Sequence, residues 1–190
     1  MGGTALPVGY PVIRAAPADR RVMEVAVMTD GGRRAGAGPS GDRDRLVGFW
    51  SSDDLVQGMP EVDRLGLRSD GTGWYEWISM GDGWNYRTFT WAVREPGRLT
   101  LTDIRGHSGT WSIDPVSDAI GHHVHSRDFE EGSAVVPFAV GPGPTLYKGA
   151  VTILDLLEPV FLDNRFALVR RDIESGDEPT IDSVDTSWDA

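Results

Sequence analysis

Glu76 and Asp103 are the acids of this chain whose sequence neighbours could give them chemistry. Each sits in an alternating run. The residues of like parity around them are leucines and aromatics: Leu65, Leu67, Trp74, Ile78, Phe89, Trp91 and Leu101. Period-two alternation gathers such residues on one face of a sheet. A carboxyl held there is stripped of water and its pKa rises. That suits a general acid, or a hydrogen-bond donor that orients a ligand carbonyl. Arg87 falls on the same face. It can orient a ligand too, or it can pair with one acid and form an ordinary satisfied polar contact.

The histidines raise a second possibility. His123-X-His125 sets two imidazoles on one strand face, and Glu130 follows. This is similar to part of the cupin motif His-X-His-X4-Glu, whose ligands hold a metal. No His follows His125 to complete such a site, and His107 would have to join by the accident of folding. The plainer reading is a solvated strand beside Arg127 and Asp128, with no metal. Phosphate-binding glycine loops, dinucleotide fingerprints, zinc-protease motifs and nucleophile elbows are all missing. The expectation is chemistry or binding without a cofactor.

The elements that must position these residues form a meander. Short alternating runs end at Ser69-Asp70-Gly71, Gly81-Asp82-Gly83 and Glu95-Pro96-Gly97, which are hairpin signals. A two-residue loop at Asp82-Gly83 would set Trp74 opposite Trp91 and Glu76 opposite Phe89. Glu76 and Asp103 would then share an inner face, while Tyr75, Trp77, Thr88 and Thr90 would face water. Strand signals continue at Thr110–Ile113, at Ile120–Phe129 and Ala134–Val140 around Glu131-Gly132, at Leu146–Leu154, and at Arg165–Arg171. The pattern predicts an all-β chain: a single antiparallel up-and-down β-barrel of about eight to ten strands. Phe138 and Tyr147 would extend the inner aromatic stripe, which either fills the barrel or lines a cavity.

The remainder divides readily. Residues 1–45 read as an extension, with a preferred strand over 18–29 and a flexible Gly-rich linker over 30–44. The barrel spans 46–171. Residues 172–190 carry seven acids and no Lys or Arg, and read as a disordered acidic tail. The formal charge is −11, which argues against nucleic acid or an anionic membrane as partner. Cysteine is absent, and neither a secretory signal nor a membrane-length apolar run is visible. A cytoplasmic monomer or homodimer is expected.

Gly48-Phe49-Trp50 on the first strand resembles the Gly-X-Trp signature of the lipocalins and the wider calycin group. The resemblance implies that Trp50 plugs one end of the barrel and that an Arg from the last strand packs across it. Arg170 or Arg171 stands in the right place, and Arg170 shares parity with Phe166 and Leu168. In architecture the chain is also similar to the spirotetronate-type [4+2] cyclases, which implies a cofactor-free cyclase or isomerase acting on a hydrophobic substrate. Three functions therefore stand open: a pocket for a small hydrophobic, polyketide-like molecule; such an enzyme; or a filled barrel serving as an interaction module.

Overall fold

The computed structural model describes residues 39–55, 58, 60–81, 83–113, 116, 120–145, 148–174 and 176–179. The chain divides into units 1–34 and 35–190, and everything described belongs to the second. The strand expected over 18–29, Asp82 and Tyr147 lie outside the described residues.

Among the described residues one helix, α1 (Pro39–Leu46), precedes eight strands: β1 (Gly48–Ser51), β2 (Glu61–Leu67), β3 (Thr72–Ser79), β4 (Gly83–Glu95), β5 (Arg98–Ile113), β6 (Ile120–Thr145), β7 (Gly149–Leu156) and β8 (Arg165–Arg170). Each strand pairs antiparallel with the next, and β8 returns to β1, so the eight form a closed ring. No described helix is long and apolar enough to cross a membrane. Eight is the lower end of the expected eight to ten, because two expected breaks are absent. Thr110–Ile113 is the end of β5, and β6 runs unbroken past Glu131-Gly132. Gly132 takes φ +115°, which bends the strand without ending it. Beyond Pro137, β6 pairs with β7 and no longer with β5. Pro142 and Pro144 are tolerated on such a stretch, since a missing N–H can face the unpaired side.

The inner face carries Leu65, Leu67, Tyr75, Phe89, Trp91, Leu99, Leu101, Phe138, Leu154 and Phe166, all buried in one core. Leu46 and Trp50 complete it beside α1. Little in Pro39-Ser40-Gly41-Asp42-Arg43-Asp44-Arg45-Leu46 favours a helix, which is why the segment reads as linker. Tertiary contacts hold it instead. Asp42 accepts the Gly97 N–H at 3.0 Å, Arg43 donates to the Ser69 carbonyl at 2.9 Å, and its guanidinium lies 5.4 Å from the Trp91 ring. Trp50 Nε1 donates to the Leu46 carbonyl at 2.8 Å, so a helix end is satisfied from below.

The arginine over Trp50 is Arg171, one residue past β8 and 5.7 Å from the ring, and not Arg170. Arg171 also donates to the carbonyls of Arg45 at 2.6 Å and Val47 at 2.8 Å. Arg170 lies over Phe49 on the outer face, at 5.2 Å. The cause is a bulge. Trp50 pairs with Leu168 but Phe49 with Arg170, so Val169 is an extra residue and the parity reverses beyond it. Nor is the acidic tail wholly free: Asp177 meets Arg170 and Glu178 meets Tyr86 on the outer face.

Gly48 takes φ +147°, and a Cβ there would stand 2.8 Å from the Arg170 carbonyl oxygen. Gly48→Ala should therefore cost about 1–3 kcal/mol through backbone strain and crowding. Urea denaturation would read this as a lower midpoint at unchanged slope.

Candidate functional site

The β3–β4 register differs from the one the turn implies. Trp74 pairs with Thr88 and Glu76 with Tyr86, so the register is displaced by three residues. An odd displacement exchanges faces. Trp74, Glu76 and Ile78 accordingly leave the inner face. They join Trp84, Tyr86, Phe49 and Trp111 on the outer face, where Trp74, Trp84 and Tyr86 form a second buried cluster. The Met80 N–H bonds to the Pro60 carbonyl at 2.7 Å, which continues the β2–β3 pairing past Ser79. Two glycines then lock the register. The Phe89 ring covers Gly73, and the Trp74 indole covers Gly66, each where a Cβ would collide.

Asp103 also leaves the inner face. It is exposed, with φ 54°, and marks a bulge between Thr102 and Ile104. Thr90 Oγ1 donates to it at 3.2 Å. The two acids predicted to share a pocket do not meet. Glu76 is nonetheless buried, at 4 % exposure. Its burial raises its pKa against the pull of Arg64, which lies 3.1 Å away. Its partner is thus Arg64, not Arg87.

The inner face has a different acid. Asp63 shares parity with Leu65 and Leu67 and is 6 % exposed. Tyr75, from β3, donates its hydroxyl to Asp63 Oδ1. The β7–β8 connection, residues 157–164, folds over both. Leu162 N–H donates to the Tyr75 oxygen at 3.2 Å, and Asp163 N–H donates to Asp63 at 3.3 Å. Phe161 stacks on Tyr75 with centroids 4.2 Å apart and planes 11° apart, and also meets Phe89 at 5.8 Å. Burial pushes the Asp63 carboxyl up to about 6, partly offset by the Tyr75 hydrogen bond. Burial, then the Asp63 charge, drives the Tyr75 hydroxyl far above its usual range.

Neighbouring positions on the inner face add polar groups. Asn85 pairs with Trp77, itself the partner of Asp63, and Arg87 pairs with Tyr75. The buried Oδ1 of Asn85 has no hydrogen-bond partner. A donor, an acceptor and a carboxyl that is half protonated near pH 6 thus lie at one end of an aromatic interior. That set can hold a carbonyl or hydroxyl, or pass a proton to one.

Leu65, Leu67, Phe89, Trp91, Leu101 and Phe138 all lie in the interior as predicted, but packed against one another. A cleft of about 390 Å³ opens instead on the outer face, among Phe49, Ser51, Arg64, Lys148 and Asp177. His123 and His125 are exposed and hydrogen-bond to Ser112 at 3.2 Å and Thr110 at 3.0 Å. No group of three metal-ligating residues occurs among the described residues. Asp63 was legible in principle, from its parity with two leucines. Phe161, in an irregular connection after Pro159, carried no such signal. No family model, curated protein or solved structure matches the chain.

Proposed function

We propose that the ring is a lipocalin-like barrel that takes a small, largely apolar molecule at its Asp63–Tyr75 end. The supporting observation is the buried carboxyl–hydroxyl pair beneath Phe161. Burying such a pair is costly unless it is fully satisfied, and a filler core could do without it. Here its closure depends on two backbone N–H groups of a surface connection whose Leu157 and Leu162 are exposed. Lifting residues 157–164 would remove Phe161 from Tyr75 and present the hydroxyl, the carboxyl and Asn85 to a ligand. The aromatic rings then supply apolar area, and the polar groups orient one carbonyl.

A naphthyl ketone dye such as Prodan tests this, because its emission shifts blue out of water. The expected result is a blue shift with the wild-type chain and tighter binding by Phe161→Ala. Tyr75→Phe should weaken binding about tenfold, the scale of one lost hydrogen bond. Emission that stays at its water value with both the wild type and Phe161→Ala would refute the reading.

A second reading, a cofactor-free cyclase or isomerase, is favoured by the Asp63 carboxyl near pKa 6. Protonated, it can polarise a carbonyl while the walls fold the substrate into a reactive conformer. Turnover of a linear polyene ketone that fades above about pH 6 would support it.

A further inference from the structure

The outer face carries a second constellation, independent of what the interior holds. Glu178 inserts its carboxylate between two donors: the Tyr86 hydroxyl at 2.5 Å and the Arg68 guanidinium. Tyr86 is 7 % exposed, its ring packed beside Trp74 and Trp84. One residue earlier, Asp177 meets Arg170, whose guanidinium also reaches Glu174 at 3.7 Å. Asp177 further accepts the Glu174 N–H at 2.6 Å, which turns the segment back on itself. Arg170 in turn lies over Phe49. Two arginines and a buried tyrosine hydroxyl thus receive two consecutive carboxylates beside an aromatic floor.

Removing those carboxylates would take the Glu178 ion pair from Arg68 and leave Arg170 with Glu174 alone, at 3.7 Å. Glu76 would not replace them, because it already pairs with Arg64 at 3.1 Å. Gly176 and Asp177 also form one wall of the 390 Å³ cleft, so their departure would enlarge it. We propose that the Arg68–Tyr86–Arg170 cluster beside this cleft is a recognition site for an acidic peptide segment, occupied in cis by the chain's own Asp177-Glu178. Arg68 and Glu178 are each about one-third exposed, so the contact is screened by salt and exchangeable. A short tether from β8 gives it an effective concentration on the order of millimolar, enough to keep a weak contact formed. A competing acidic segment must overcome that concentration, and so the tail sets a threshold for binding.

The test uses the full chain and a fluorescein-labelled peptide of residues 172–179, followed by anisotropy. Asp177→Asn with Glu178→Gln frees the cluster in cis. The opened chain should bind the peptide at least about tenfold more tightly than wild type, and added salt should weaken it. Arg68→Gln in the opened chain should reverse the gain. Tyr86→Phe, which removes only the hydroxyl, should lower affinity as well, and thermal melts report whether each variant is folded. Equal binding by opened and wild-type chains would overturn the proposal. So would an opened chain whose affinity is indifferent to both Arg68→Gln and Tyr86→Phe.

Discussion

Trp50→Ala is expected to lower the unfolding free energy by about 3–5 kcal/mol, the range for deleting a large buried aromatic. Trp50 is fully buried between β2 and β8. Its loss would leave a cavity at the α1 end. It would also orphan the Leu46 carbonyl and remove the surface on which Arg171 rests. Arg171→Ala and Arg170→Ala give the internal control. Arg171 satisfies helix-end carbonyls, so its removal should cost roughly 1–3 kcal/mol. Arg170 makes partly exposed ion pairs worth about 0–1 kcal/mol. Urea denaturation of the three variants checks the order. Equal losses from the two arginines would mean that Arg171 is not the residue that braces α1.

Asp63→Asn should change how stability depends on pH. The folded carboxyl titrates at about 6, against an ordinary value of 3.8. Between those pH values the folded chain holds a proton that the unfolded chain has lost. The contribution of Asp63 is therefore fully present below pH 3.8 and is lost as pH rises through about 6. The gap corresponds to roughly 3 kcal/mol. Asn keeps the acceptor oxygen for Tyr75 and Asp163 but cannot ionise. The difference in unfolding free energy, variant minus wild type, should thus rise by about 2.4 kcal/mol from pH 4 to pH 7, most of that gap. Taking the difference cancels the titration of the other carboxylates. A flat difference would show that Asp63 is not held in a desolvated site, and the proposed pocket would lose its central group.

Much of this protein was determined by local pattern alone. Glycine and proline turns, period-two alternation and scarce helical periodicity require antiparallel strands. The leucines of β2 and β5, with Phe89, Trp91 and Phe138, are apolar on one parity and had to be buried together. Gly48-Phe49-Trp50 placed a tryptophan at the start of the ring, and Trp50 lies in the core.

Tertiary structure decided which parity points inward wherever a strand is two-faced or bulged. Trp74-Tyr75-Glu76-Trp77-Ile78 is apolar on both sides, so alternation cannot choose between them. The choice came from rings packed over Gly66 and Gly73, residues distant in the chain or on the facing strand. In β4, Trp84 and Tyr86 serve the outer cluster while Phe89 and Trp91 serve the core, which a single-face reading cannot represent. The bulges at Asp103 and Val169 each insert one residue, and one residue reverses every later side chain. Hence Asp103 went to solvent, Arg171 replaced Arg170 over Trp50, and Glu76 found Arg64 on the outer face. The Asp63–Tyr75 pair depends on Phe161 and two backbone N–H groups about a hundred residues further along the chain. Such a site exists only once the ring has closed, because closure alone brings those groups within hydrogen-bonding range.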